Sequence, residues 1–146
     1  MVNVITQKLI NRSLDKVASY AANPDHATEW YQNIQSVVWK TDWPLKEGTE
    51  VAFVAHFMGK KLVYTYEVVS YLPNEKLVMQ TAQGPFPMQT IYRWEALDKN
   101  QTRMTLQNTG HPSGFSKLLV PFLGFMIRRA NQKDLRKIKT ILENQI

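Results

Sequence analysis

From residue 34 to 109 the chain alternates apolar and polar side chains with a period of two, broken at short intervals by turn residues. In TEVAFVAHF, Val51, Phe53, Ala55 and Phe57 fall on one face, and Glu50, Ala52, Val54 and His56 on the other. After MGKK, the stretch LVYTYEVVS sets Leu62, Tyr64, Tyr66 and Val68 against Thr65 and Glu67. LPNEK turns the chain into a strand over 77–83. GPFP turns it again, and MQTIYRWEAL sets Met88, Thr90, Tyr92 and Trp94 against Gln89, Arg93 and Glu95. After DKNQ, TRMTLQN sets Met104, Leu106 and Asn108 against Arg103 and Gln107. Successive Cβ atoms of a strand point to opposite faces, so this pattern is a half-buried strand signal. With a strand near 34–43 it predicts six consecutive antiparallel strands joined by short turns.

A sheet with one apolar face must bury it against another layer. Residues 3–11 alternate weakly and read as a first strand. Ser13 is placed to cap a short helix carrying Val17 and Tyr20. ANPDHATEW starts a second one, with Asn23 as N-cap, Pro24 at the first helical position and Asp25 in the first turn. The segment GFSKLLVPFLGFMIRRANQKDLRKIKTILE then predicts a long helix over 114–143. At about 100° per residue, Val120, Leu123, Ile127, Leu135, Ile138, Ile141 and Leu142 form one stripe, with Asn131 inside it. Arg129, Lys133, Arg136 and Lys137 lie opposite. Leu118, Leu119, Phe122, Phe125 and Met126 occupy the side that later becomes basic, so the first half is apolar all round. The largely apolar stretch from Phe115 to Ile127 is 13 residues long, includes Ser116 and Lys117, and is broken by Pro121 and Gly124. A helical membrane span needs about 20.

The 146 residues fit one domain, 1–146, and the lack of cysteine excludes disulfides and thiolate chemistry. MVNVITQKLI has no basic start followed by an apolar run, which predicts a cytoplasmic protein without a signal peptide. The net charge of +6 is concentrated between Arg128 and Lys139, a segment of net charge +5. Such a face suits an anionic membrane or an acidic protein, or is a solvated helix face complementing the helix dipole. Nucleic acid is not expected, because the aromatics point inward and leave no stacking platform outside.

Chemistry-bearing motifs are sparse. His26 lies in a short helix, His56 on the polar face of its strand and His111 in a loop. No pair of them has metal-ligand spacing, and no nucleophile-elbow or phosphate-loop motif is present. Neither metal nor cofactor is expected.

The order strand, two short helices, six-stranded meander, long C-terminal helix resembles the START-like (SRPBCC, helix-grip) superfamily, in particular its polyketide cyclase/dehydrase-like branch. The resemblance is carried by INRSLDKVASYAANPDHATEWYQNI, LKEGTEV, YTYEVVSYLPNEKLVMQT and the closing amphipathic helix. It implies an α+β helix-grip fold: a curved antiparallel sheet of about seven strands wrapped around the C-terminal helix, with a deep apolar cavity between them. Members bind lipids, sterols, polyketides or other hydrophobic molecules, and some are cyclases or aromatases. Plant allergen-type members carry a glycine-rich loop where this chain has WPLKEGTE with the single Gly48, so a phosphate cradle is not expected there.

Phe53, Phe57, Tyr64, Tyr66, Met79, Met88, Tyr92, Trp94 and Asn108 project, with Met104, to the inner face on the period-two reading. They are either plain core or the wall of a pocket, and the tyrosine hydroxyls and the amides of Asn108 and Asn131 are the polar groups such a pocket would use. Trp30 is either a plug at the end of the grip or part of the ligand wall. Phe122 and Met126 are the expected roof contacts. QGPFPMQ and NTGHPSGFSKLLVP are candidates for a gate at the entrance. The expected function is binding of a hydrophobic or amphipathic small molecule, with catalysis left open. The alternatives are a cyclase or dehydratase using tyrosines, or His111 or His26 swung inward, and a module docking its basic helix on an anionic membrane or acidic protein.

Overall fold

In the computed structural model, which describes residues 2–112, 118 and 120–145, the meander is present strand by strand. The elements are β1 (Val2–Ile10), α1 (Leu14–Ala22), a 3-10 turn (Pro24–His26), α2 (Ala27–Trp30), β2 (Ile34–Trp39), β3 (Glu50–Phe57) and β4 (Lys60–Leu72). They continue with β5 (Lys76–Gln83), β6 (Met88–Asp98), β7 (Gln101–Gly110), a 3-10 turn (Val120–Phe122) and α3 (Leu123–Glu143). One antiparallel sheet runs in the order β1-β7-β6-β5-β4-β3-β2, so consecutive strands pair throughout and β1 returns to close against β7.

The alternation sets the register. Val51, Phe53 and Ala55 of β3 are buried while His56 is exposed, and Thr102, Met104 and Leu106 of β7 are buried in the same rhythm. The β3–β4 hairpin turns on Met58 and Gly59, both at positive φ, which matches the twist of the flanking strands. Irregularities interrupt β2–β3 between Ile34 and Ser36, and β4–β5 between Thr65 and Tyr66 and again between Val68 and Ser70. Each such bulge bends a strand and increases its twist, and this curls the sheet.

The N-terminal helices form as their caps dictate. The Asn23 side chain accepts a hydrogen bond from the Asp25 backbone N–H at 3.0 Å, with Pro24 starting the turn. Ser13 precedes α1 but makes no side-chain cap bond. Leu135, Ile138 and Leu142 of α3 are fully buried against the sheet with Ile10, Val17, Leu77, Met104 and Leu106. The helix also covers the open edge of β1. Arg128 donates to the Ile5 carbonyl at 2.9 Å and Lys139 to the Leu9 carbonyl at 3.0 Å, which blocks further strand addition there.

Arg12 fastens the far end of α3. Its guanidinium donates to the carbonyls of Glu143, at 2.5 Å, and Gln145, at 2.7 Å. These lie where a helix leaves carbonyls without partners and carries partial negative charge. Arg12→Ala is expected to lower stability by about 1–2 kcal/mol, because charge-assisted bonds are lost at a partly solvated position. Urea denaturation measures it.

Candidate functional site

The two halves of α3 meet the sheet differently. The C-terminal half packs on it. The N-terminal half stands off, leaving a cavity of about 190 Å³ between helix and sheet. Its floor is the inner face of the sheet: Phe53, Phe57, Tyr64 and Tyr66 from β3 and β4, then Met79, Met88, Tyr92 and Asn108 from β5, β6 and β7. Trp30 and Tyr31 close one side, and Leu123, Ile127, Ala130, Asn131 and Asp134 of α3 form the roof. Phe53 stacks on Tyr64 with ring centroids 5.5 Å apart, and Tyr64 meets Tyr66 edge-on at 5.0 Å.

Three residues named from the sequence lie elsewhere. Phe122 and Met126 are 60% and 36% exposed and are not in the lining. The roof is instead made by Leu123 and Ile127, one position further along the helix. The reason is the start of α3: a 3-10 turn ends at Phe122, and the face that meets the sheet begins with Leu123. Trp94 does face inward, at 5% exposure, but belongs to the packed core beyond Tyr92, 6.1 Å from its ring. His26 is tied to Tyr20, its Nδ1 lying 2.9 Å from the Tyr20 carbonyl, and His111 is exposed, so neither enters the cavity. Of the two gate candidates, Phe86, Met88, Gln89, Thr109, Gly110 and Pro112 contribute to the lining, while residues 113–117 and 119 lie outside the described residues.

Two polar networks cross the apolar walls. In the first, Tyr66 Oη lies 2.8 Å from Thr90 Oγ1, and Thr90 Oγ1 donates to Asn108 Oδ1 at 3.0 Å. A threonine hydroxyl has one proton, so Tyr66 is the donor to Thr90 and the chain runs one way. Burial pushes the Tyr66 hydroxyl up to about 12. In the second, Tyr31 and Tyr92 share a hydrogen bond of 2.6 Å. The pair holds two hydroxyl protons and uses one between its own oxygens, which leaves the other for a bound oxygen atom. Burial raises both of these tyrosines as well, and the Asp134 carboxylate adds to it.

Asp134 is the site residue that sequence reasoning missed. It is 3% exposed and accepts a hydrogen bond from the Gln32 backbone N–H at 3.0 Å. Burial raises its carboxyl from 3.8 to about 6, against the lowering effect of that hydrogen bond and of Lys133. Its spacing carried the signal: Asp134 stands seven residues after Ile127 and four before Ile138, inside the apolar stripe. Tyr31 was missed too. It follows α2 outside any periodic segment, and nothing local marks it. Asn131 is 4% exposed, and its Nδ2 has no hydrogen-bond partner. Among the described residues no cluster of His, Asp or Glu is arranged to hold a metal ion.

The family model described as polyketide cyclase / dehydrase and lipid transport matches residues 1–143. The chain belongs to that family. Its structure is similar to the Zhui aromatase/cyclase of a Streptomyces species, with a TM-score of 0.80 and 15% identity over 97% of this chain and 93% of that one. It is likewise similar to a START superfamily protein of Mycobacterium smegmatis, with a TM-score of 0.79 and 12% identity over 97% of both chains. These likenesses establish the helix-grip fold. A Streptomyces lincolnensis protein described as an uncharacterized 17.2 kDa protein is 24% identical over 93 residues, a match spanning 64% of this chain and 61% of that relative. As a member of this family, the chain is a START/polyketide cyclase-like domain. No helix among the described residues is long and apolar enough to cross a membrane.

Proposed function

We propose that the cavity binds a hydrophobic or amphipathic small molecule, lipid-like or polyketide-like, whose apolar body carries an acceptor oxygen. The observation behind this reading is the pairing, in one hollow, of aromatic walls with a few convergent donors. Ligand pockets have that composition. A dry cavity of about 150 Å³ takes up benzene, so about 190 Å³ holds a ring-sized group with the side chains at rest. Burial of its apolar surface, at about 25 cal/mol per Å², drives entry. The spare proton of the Tyr31–Tyr92 pair and the Asn131 amide orient it.

Native mass spectrometry and fluorescence displacement with 1-naphthol and with naphthalene test this. A one-to-one complex is expected, with naphthalene bound about tenfold more weakly for want of one hydrogen bond. Ile127→Trp, which puts a large ring into the roof, should abolish both complexes. The reading fails if no lipid-like or ring-bearing molecule binds, or if Ile127→Trp leaves binding intact.

A second reading, proton-transfer chemistry on a polyketide-like substrate, is favoured by Asp134. A cavity carboxyl at about 6 beside a tyrosine pair is suited to taking and returning a proton near neutral pH. Loss of turnover in Asp134→Asn, with ligand affinity retained, would decide for it.

A further inference from the structure

The exposed apolar side chains near the start of α3 form a patch. Val120, Phe122, Phe125 and Met126 are 44%, 60%, 64% and 36% exposed, and all belong to the 3-10 turn Val120–Phe122 or to the first turn of α3. Isolated apolar side chains on a surface need no explanation, but a contiguous patch marks a contact. The inner side of the same turns carries Leu123 and Ile127, which line the cavity. The helix start is therefore apolar on both sides, and only one side is covered.

The outer side changes character one turn later. At about 100° per residue, Phe122, Phe125 and Met126 share a face with Arg129, Lys133, Arg136 and Lys137, all exposed. The ion pairs among the described residues are Arg103–Glu95 and Lys139–Glu143, so none of these four cations is in one. An apolar tip thus runs directly into a basic stripe, on a chain of net charge +6.

This order of chemistry selects the occupant. A second copy of the chain, paired through the same patch, would bring two sets of these cations together. Double-stranded nucleic acid would meet the cations but keeps its bases stacked inside the duplex and offers no layer to receive two phenylalanines. An anionic bilayer supplies both, acyl chains for the tip and headgroups for the stripe. We propose that this end of the protein docks on an anionic phospholipid membrane, with Phe122, Phe125 and Met126 at the acyl–headgroup boundary and Arg129, Lys133, Arg136 and Lys137 on the headgroups. Docking in this pose brings the Leu123 end of the cavity up to the membrane. The surface lies outside the cavity and stands whether or not the cavity takes a ligand.

The chain has no cysteine, so a single introduced one reports on a single place. Phe125→Cys, labelled with a polarity-sensitive nitrobenzoxadiazole dye, is mixed with vesicles of phosphatidylcholine with and without phosphatidylglycerol. A blue shift, with quenching by a lipid-borne quencher, is expected on the anionic vesicles alone and should fade at high salt. Met126→Cys gives the same readout should Phe125→Cys fold poorly. Lys99→Cys, in the β6–β7 turn, should report no change. Lys133→Gln with Arg136→Gln should weaken vesicle binding roughly 30-fold, because each cation near such a surface contributes about fivefold. Equal binding to neutral and anionic vesicles, or an unshifted probe on both, would overturn the proposal. So would a concentration-dependent dimer that shields the probe without lipid, or a probe shift with soluble polyglutamate in place of vesicles.

Discussion

Trp30→Ala is expected to lower the stability of the fold by about 4 kcal/mol, near the upper range for truncating a buried aromatic. Trp30 is 1% exposed, and its ring lies 4.1 Å from that of Tyr31 and 5.8 Å from that of Tyr92. The loss has two parts: the transfer of the indole from water and the hole it leaves. The hole cannot close easily. Trp30 sits on α2, a helix of 4 residues joined directly to the 3-10 turn Pro24–His26 and pinned to α3 through Gln32 and Asp134. The melting temperature should fall by roughly 10–15 °C for a domain of this size. Thermal and urea unfolding measure both quantities. Added indole should restore part of the loss by refilling the hole, which a nonspecific folding defect would not allow. A loss below about 1 kcal/mol would mean that α2 collapses onto the gap and that Trp30 is neither plug nor wall.

The other large effect is at Asp134. Its carboxyl holds a proton up to about 6 in the folded protein, against 3.8 ordinarily. Between these values the folded state keeps a proton that the unfolded state has lost. The stability contributed by that proton is therefore complete below 3.8, declines as pH rises, and is gone above about 6. The total is about 3 kcal/mol. Asparagine retains an oxygen to accept from Gln32 and carries no charge. Asp134→Asn is therefore expected to match the wild type at the acid end of this window and to exceed it by up to about 3 kcal/mol near pH 7. Urea unfolding of both proteins across this range isolates the difference, since the other carboxyls titrate alike in each. A variant less stable than wild type at every pH would show that the carboxylate is held by partners stronger than its burial. A group that costs stability at neutral pH, in the wall of a cavity, is the pattern expected of a residue kept for function.

Much of the architecture could be read locally. Val51, Phe53 and Ala55 against His56, or Met104 and Leu106 against Gln107, report their faces through their neighbours alone, because side chains alternate along any strand. Leu135, Ile138 and Leu142 likewise report the packed face of α3 through helical spacing. Most of the inner-face aromatics named from the sequence do line the cavity for the same reason. Phe122 and Met126 were assigned to the roof because an apolar-all-round helix offers no local cue to which side is covered. Asp134 is the single acid in the basic run from Arg128 to Lys139, and its place in the apolar stripe is the only local sign of its burial.

The residue pattern by itself determined the six strands of the meander, their succession, the closing helix and the inward face of each strand, since periodicity is a property of neighbours along the chain. The tertiary structure alone decided that α3 packs tightly through Leu135 to Leu142 yet stands off from Leu123 to Asp134. That separation follows from how far bulges at Ile34, Thr65 and Val68 curl the sheet. Curvature accumulates over many strands, so no short stretch of sequence encodes it. The meeting of Tyr31, Tyr92 and Asp134, far apart along the chain, follows from the same curvature.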